Sequence, residues 1–321
     1  MLSLFLSILI LLTSCGASIP SPPTKQTFSN ANNSFKAPTP TADPAQAQEP
    51  SWLKIIVVDV GQGNATLIVT SDAKALLIDT GPPDTAAPKI LQTAKDLGVQ
   101  KIETIVLSHN HLDHTGGLDS LLKNPIAQGS TILDRDRARV GDILKMGAME
   151  IDTLAVNGHV GLLNLSDKIH DDENSRSVAM LLKFGDFRYF TDGDLTGGGG
   201  EPPYQTGDFE TALAPLVGHV DVLLAPHHGS NTGSNQTFVD TLNPDVVLFS
   251  FGDNNDYHHP HATTIDRYRK AHAKLYATEQ GFLPATTDVH VVHGSICVVT
   301  DGRDYTVKPY AVDKCAPPAT E

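Results

Sequence analysis

The sequence predicts an α/β domain, and three observations carry the prediction. Short β-branched, apolar runs alternate with segments of helical period, the pattern of strands and helices packed in layers. About 270 residues follow the first fifty of the 321-residue chain, a length that suits one large domain better than two small ones. A dense His/Asp cluster stands directly behind one apolar run, on the loop where a strand hands over to a helix.

At the start of the chain, Met1 to Leu12 is almost wholly apolar and has the length of a signal-peptide core, too short for a transmembrane helix. Leu12-Thr13-Ser14-Cys15 then resembles the lipobox of bacterial lipoproteins, in which the cysteine is lipidated. A plain signal peptide with an incidental cysteine is the alternative, and no Lys or Arg precedes the apolar run, which departs from the usual pattern. Residues 16–50 are rich in Pro, Ser, Thr, Asn, Ala and Gln, with too few aliphatic side chains to offset ordering entropy. The expected organisation is a lipoprotein-type signal peptide at 1–15, a disordered linker at 16–50 and the domain at 51–321. Lipid on Cys15 would anchor an exported protein to the membrane of a bacterial envelope.

Hydrophobic residues make up 40% and aromatics 6%, enough for a packed core and too little for a membrane protein. The formal net charge of −14 weighs against tight, processive binding of long nucleic acids, which basic patches usually grip. Of three cysteines, Cys15 belongs to the N-terminal segment; export favours a disulfide between Cys297 and Cys315, with two free thiols as the alternative.

Within the domain, Trp52 to Val60 reads as a first strand, Gly61-Gln62-Gly63 turns the chain, Ala65 to Thr70 returns, and Lys74 to Asp79 makes a third strand. Ala86 to Leu97 places Ile90, Leu91, Ala94 and Leu97 at helical spacing and stops at Gly98. Thr104 to Leu107 is a buried strand, and Leu118 to Leu122 begins a helix that Asn124-Pro125 breaks. Between them stands Ser108-His109-Asn110-His111-Leu112-Asp113-His114-Thr115-Gly116-Gly117, with three histidines and one aspartate in six residues. Neutral imidazoles and a carboxylate are ligands of zinc, manganese and iron, so the cluster predicts one or two metal ions. A histidine-rich surface loop is the bland alternative, at odds with a patterned cluster behind a buried strand.

Further on, Asp134 to Arg139 is a mixed charge run, read as a solvated face. Gly141-Asp142, Ile-Leu and Met149 to Asp152 read as a hairpin. His170 to Ser177 precedes the strand Val178 to Phe184; Phe187 to Thr191 is another strand, followed by Asp192-Gly193-Asp194-Leu195. Gly197 to Gly200 with Pro202-Pro203 reads as a mobile loop. Val220 to Ala225 is a strand that runs into Pro226-His227-His228-Gly229-Ser230. Phe238 to Leu242, Val246 to Phe251 and Thr263 to Tyr268 read as helix, strand and helix, with Asn255-Asp256-Tyr257-His258-His259-Pro260-His261 before the last. Asp288 to Val292, Ser295 to Thr300 and Tyr305 to Lys308 read as a terminal β-meander with Asp301-Gly302 as a turn.

His-x-His-x-Asp-His after an apolar strand is the signature of the metallo-β-lactamase fold. Asp59 to Ala65 before it and Pro226 to Ser230 after it narrow the match, so that residues 52 to 305 resemble the ComEC-type, competence-protein subfamily. The resemblance implies an αββα sandwich, two mixed β-sheets flanked by helices. It implies that His109 and His111 hold one ion, that Asp113, His114 and either His227 or His228 hold the other, and that Asp194 bridges them. It gives Asp79 a supporting role behind a metal histidine, with turn initiation as the alternative. Asp59 and Gln62 serve turn chemistry or support the site. Asn174 and Ser177 stand where other members of the fold place a metal-binding histidine, and His170 is a candidate replacement. His259 aligns with the family's histidine and would stabilise developing charge, whereas His258 and His261 are incidental. Asn64 replaces a frequent aspartate, and Asp192 stands where the family has threonine and reads as structural. Ser230, Asn231 and Ser234 bind substrate or, the better reading, cap the following helix.

The implied chemistry is hydrolysis by a metal-activated hydroxide, with Zn2+ or Mn2+ as one or two bound ions and Asp113 orienting the nucleophile. The expected substrate is a small-molecule or nucleic-acid phosphodiester, and no protein partner is expected. Lactonase or β-lactamase chemistry is the rival enzyme reading, weakened by Asn174. A surface-anchored DNA-uptake accessory without turnover is the rival outside catalysis, weakened by the nearly complete ligand set.

Overall fold

The computed structural model describes residues 52–201, 205–311 and 315–316; the expected signal peptide and linker lie outside them. The chain runs β1 (Leu53–Val57), β2 (Thr66–Thr70), β3 (Ala75–Ile78), α1 (Ala86–Asp96), β4 (Ile102–Val106), α2 (Leu112–Thr115), α3 (Leu118–Leu122), β5 (Thr131–Leu133), β6 (Ile143–Met146), β7 (Met149–Val156), β8 (His159–Val160) and β9 (Leu163–Asn164). It continues through β10 (Ala179–Phe184), β11 (Phe187–Thr191), α4 (Glu210–Val217), β12 (Val222–Leu224), α5 (Gln236–Leu242), β13 (Val246–Phe249), α6 (Ala262–Lys270), β14 (Lys274–Ala277), β15 (His290–Val291), β16 (Ile296–Thr300) and β17 (Tyr305–Pro309).

Among the described residues these strands form two mixed sheets. The first has seven strands in the order β17-β16-β1-β2-β3-β4-β5; the second has ten, running β15-β14-β13-β12-β11-β10-β7-β8-β9 with β6 beside β7. The period-2 alternation of a strand decides the layers. Leu53, Ile55, Val57, Ile68 and Leu76 of the first sheet meet Met180, Leu182, Val222 and Leu248 of the second in one buried cluster. The intervening residues face outward: Ile56, Leu67 and Leu77 pack against Ala87, Ile90 and Ala94 of α1. Leu223, Val247 and Phe249 likewise pack against Leu213, Phe238, Val239, Ile265 and Tyr268 of α4, α5 and α6. Helix, sheet, sheet and helix are therefore stacked as the αββα sandwich that the motifs imply.

Most expected elements form where the patterns place them, including the β6–β7 hairpin, which turns between Met146 and Met149. The terminal meander is a correction. β15 pairs in parallel with β14 in the second sheet, and only β16 and β17 pair with each other, in the first. Asp288 to Val292 therefore ends one sheet instead of opening the hairpin of the other. Helix α4 has no counterpart among the expected elements, because Pro215 lies inside it and reads as a breaker. The expected mobile loop is pinned along Gly197 to Gly199: Gly197 N–H donates to Thr232 O at 2.7 Å, and Gly198 N–H to Gly207 O at 2.9 Å.

Two long-range devices hold this frame. Cys297 of β16 and Cys315 are joined by a disulfide across 18 residues, tying the tail to the first sheet as export favours. Glu210, wholly buried at the start of α4, accepts the N–H groups of Ser234 at 2.6 Å and Asn235 at 2.7 Å, where α5 begins. Burial pushes the Glu210 carboxyl up to about 8, against those two donors.

Both devices make predictions. Because the folded-state value of Glu210 lies above its ordinary 4.5, its contribution is fully present below about 4.5 and is lost as pH rises through about 8. Thermal unfolding across that window should show the decline in the wild type and a flatter curve in Glu210→Gln. At acid pH that variant should be less stable by about 1–3 kcal/mol for the acceptor it loses, and the gap should close as pH rises through the window. Reducing the Cys297–Cys315 bridge should lower unfolding free energy by roughly 3 kcal/mol, read from denaturant titrations with and without reductant.

Candidate metal centre

The site begins where β3 ends. Asp79 is buried and takes a left-handed backbone, φ 60°, that turns its carboxylate back under the next strand end. Its Oδ1 accepts the Ser108 N–H at 2.7 Å and its Oδ2 the Ser108 hydroxyl at 2.9 Å. Oδ2 also lies 2.8 Å from His114 Nδ1. The structure thus favours the supporting role of Asp79 over turn initiation. A proton on His114 Nδ1 bonded to this carboxylate leaves Nε2 with a free lone pair. Ser108 Oγ sits 3.1 Å from His109 Nδ1 and does the same for that ring.

The loop after β4 is held from three sides. His111 is the N-cap of α2, which puts Asp113 and His114 in its single turn. Thr80 N–H donates to His114 O at 2.6 Å and Asn64 N–H to Asp113 O at 3.1 Å. Gly63 lies so near that a Cβ there would stand 2.3 Å from Asp113 O, so only glycine fits. Asn64 is buried and acts here through its backbone.

The second sheet supplies the facing side chains. After β11, Asp194 N–H donates to Ser177 Oγ at 3.1 Å, so Ser177 holds the aspartate. After β12, His227 and His228 take successive left-handed conformations, φ 48° and 54°. His228 Nδ1 lies 2.8 Å from Ser250 O, and His227 Nδ1 lies 2.7 Å from Thr232 Oγ1. Both Nε2 atoms consequently face Asp194.

The expected ligands converge as two groups about that carboxylate. Asp194 Oδ1 lies 3.1 Å from His114 Nε2 and 3.6 Å from His228 Nε2; Oδ2 lies 3.5 Å from His227 Nε2 and 3.8 Å from His109 Nε2. Ligand atoms of His109, His111 and Asp194 fall within 4.8 Å of one another, as do those of Asp113, His114 and His228. His228 stands 3.3 Å from Asp113, which separates it from His227. Asn174 places Nδ2 3.4 Å from His227 Nε2. His227 is therefore an imidazole beside the half-site that lacks a histidine from the Asn174 position, while His170 is exposed and lines the same cavity.

This donor set fits divalent cations. Bare imidazole nitrogens approach to 3.1 Å between His109 and His111 and again between His114 and His228. Asp194 Oδ1 is buried without a hydrogen-bond partner among the described residues. Burial opposes charge on Asp194, but His114, His228, His227 and His109 outweigh it and hold the carboxyl well below the usual range. Asp113 is likewise held low by His228 and His114 against burial. Burial lowers His109 and His227. His114 is raised well above an ordinary imidazole by Asp194 and Asp79, although its burial works the other way. Asp192, fully buried two residues from Asp194, is raised well above the usual range by burial, with Glu210 and Asp194 adding.

The cluster floors a cavity of about 1040 Å³. His259 is buried on its wall, its ring 5.4 Å from His227 and 5.8 Å from His228, with Nδ1 unpartnered among the described residues. Asn255 clamps it, accepting the His259 N–H at 2.8 Å and donating to His259 O at 2.9 Å. Several expectations change. His261, set aside in sequence, lines the cavity and accepts the Asn231 N–H, whereas His258 packs on Phe282. The cap of α5 is Asn235, not Ser230, Asn231 or Ser234; Ser234 instead accepts the Tyr268 hydroxyl. Asp59 bonds Gly61 N–H as turn chemistry, and Gln62 lines the cavity. Ser108, Thr232, Ser250 and Asn255 went unassigned in sequence, and the only local signal is that each lies near a motif histidine or strand end. A third group, His219, Asp221 and Asp245, lies outside the cavity with Asp221 Oδ2 accepting the Arg188 N–H.

Comparison with known proteins agrees with this geometry. Residues 58–252 match the family model described as the metallo-beta-lactamase superfamily. The chain is 28% identical over 230 residues to Recombination protein 2 of Haemophilus influenzae, covering 70% of this chain and 27% of that protein. It is 28% identical over 231 residues to Competence protein ComA of Neisseria gonorrhoeae, covering 70% and 31%. It is 24% identical over 269 residues to ComE operon protein 3 of Bacillus subtilis, covering 71% and 32%. The chain thus spans less than a third of the length of these curated relatives. Layer order, ligand pattern and family model agree: the chain belongs to the metallo-β-lactamase superfamily.

Proposed function

We propose that the protein is an exported metal-dependent phosphodiesterase. The observation that carries this reading is Asp194, whose two carboxylate oxygens each face a different histidine pair. A carboxylate so placed would serve two ions, whose chemistry suits displacement at phosphorus. His109, His111 and His227 would hold one ion and Asp113, His114 and His228 the other, with Asp194 shared. Zn2+ and Mn2+ both suit a mixed imidazole and carboxylate set. Such ions supply Lewis acidity and lower the pKa of water toward neutrality.

The protein's own groups do the rest. Asp113, part-exposed on the cavity side, orients the attacking water, whose proton passes to solvent in the open cavity. The water oxygen forms the new bond to phosphorus while the bond to the leaving oxygen breaks, and that oxygen takes a proton from water in the open cavity. His259 lines the cavity beside His227 and His228 and is placed to stabilise charge on the phosphoryl oxygens. Asn174 and His227 support one another beside Asp194 Oδ2. Relatives named for competence and recombination favour a phosphodiester over a lactam or lactone. Export, with lipid on Cys15 as the anchor, is supported by the apolar start of the sequence and by the disulfide. No helix among the described residues is long and apolar enough to cross a membrane.

The test is turnover by the full chain, stripped of metal and reloaded separately with zinc and manganese, on bis-p-nitrophenyl phosphate, single-stranded DNA and nitrocefin. Metal should restore hydrolysis of phosphodiester and leave nitrocefin intact, and Asp194→Ala should fall to background. Turnover of nitrocefin alone, or silence on all three with both ions bound, would contradict the reading. Asp79→Asn should keep the fold but weaken metal affinity about 10–100-fold, read by competition with a chelator dye.

A further inference from the structure

We infer that the cavity takes a small phosphodiester with one negative charge and a flat aromatic group, and that Tyr257 is the platform on which this group stacks. The inference rests on the phosphodiesterase reading and narrows it to a substrate class.

The charge of the walls comes first. Among the described residues that line the cavity there is no Lys or Arg, whereas Asp171 and Asp172 stand on its wall. The arginines on the adjoining loop are spent on other partners: Arg135 pairs with Glu173, Arg137 pairs with Asp134, and Arg139 donates to the carbonyls of Asp136 and Ala138. The chain as a whole carries −14. Proteins that track a polynucleotide neutralise successive phosphates with cations and release counterions. Here the flanking phosphates of a polymer would meet carboxylates. A single phosphodiester anion has no flanking charge, and the ions suited to the ligand set would match its own.

The apolar surface comes second. Tyr257 is 61% exposed and lines the cavity. One face is backed by the buried His259 ring, with centroids 5.6 Å apart and planes 21° from parallel. Since Asn255 clamps His259 at both backbone ends, the platform is fixed before any ligand arrives. Leu112, 67% exposed, lines the same cavity with Pro82 and Pro83. Gln62 lines it too. A volume of about 1040 Å³ stands at the upper end of small-ligand pockets, ~300–1,000 Å³. Base–aromatic stacking of the kind proposed is worth ~1–3 kcal/mol per base, which converts to about 5–150-fold in affinity.

Titration calorimetry on the metal-loaded full chain tests this by binding, with recovery of each probe intact after the titration as the control. The probes are thymidine 5′-methylphosphonate, ethyl methylphosphonate and decathymidylate. The first should bind about 5–150-fold more tightly than the second. Tyr257→Ala should remove that advantage while leaving the ethyl ester within about twofold, and Tyr257→Phe should keep it; unchanged metal content and melting temperature show that the exposed substitution leaves the fold intact. Decathymidylate should bind no tighter than the single nucleotide. A preference that survives Tyr257→Ala would overturn the inference. So would decathymidylate binding that is much tighter and falls steeply with salt. Loss of bis-p-nitrophenyl phosphate turnover with this binding pattern intact would sink the phosphodiesterase reading and leave the platform standing.

Discussion

Four imidazoles point their Nε2 atoms at one carboxylate because each has its other ring nitrogen engaged by the scaffold. Asp79 engages His114, Ser108 engages His109, the Ser250 carbonyl engages His228 and the Thr232 hydroxyl engages His227. Without those partners each ring would be free to turn over, and a buried set of lone pairs would scatter instead of converging. Asp79 is the keystone of this arrangement, since its two oxygens also hold Ser108 and so bind both histidine rings to the end of β3. Everything proposed about metal and chemistry depends on that orientation.

The fold supplies the orientation by placing strand ends from both sheets at one edge of the sandwich. β3 and β4 of the first sheet bring Asp79 and the His109–His114 loop, and β11 and β12 of the second bring Asp194 and the two consecutive histidines. Three site residues carry backbone strain. Asp79, His227 and His228 all adopt positive φ without being glycine. Such conformations cost of order 1–3 kcal/mol each and persist where surrounding contacts over-determine them, typically at functional sites. For His227 and His228 the consequence is specific: two neighbours in sequence present their rings to different oxygens of Asp194.

The strands were legible as short apolar runs such as Leu53 to Val57 and Met180 to Phe184, while their layering followed from the resemblance; in the structure their alternate residues face different clusters. The metal loop was legible because its ligands lie within six residues, and Asp194 because its short motif follows a clear strand. What stayed hidden depends on distant partners. Nothing local separates His227 from His228; the left-handed backbone and the positions of Thr232 and Ser250 do. Ser250 contacts a histidine 22 residues away, and Ser108 contacts an aspartate 29 residues away, so neither residue looks unusual in its own window. The placement of β15 was misread for the same reason: two residues cannot announce which of two sheets they will join. Helix α4 was masked by its internal proline.

The central claim is that one aspartate serves two ions, and electron paramagnetic resonance of the manganese-loaded full chain tests it most directly. Two ions sharing Asp194 are close enough for their spins to couple, which gives a broad, exchange-coupled spectrum at two equivalents of manganese and isolated-ion lines in Asp194→Ala. An uncoupled six-line signal from the wild type at full loading, or saturation at one ion per chain, would contradict the account.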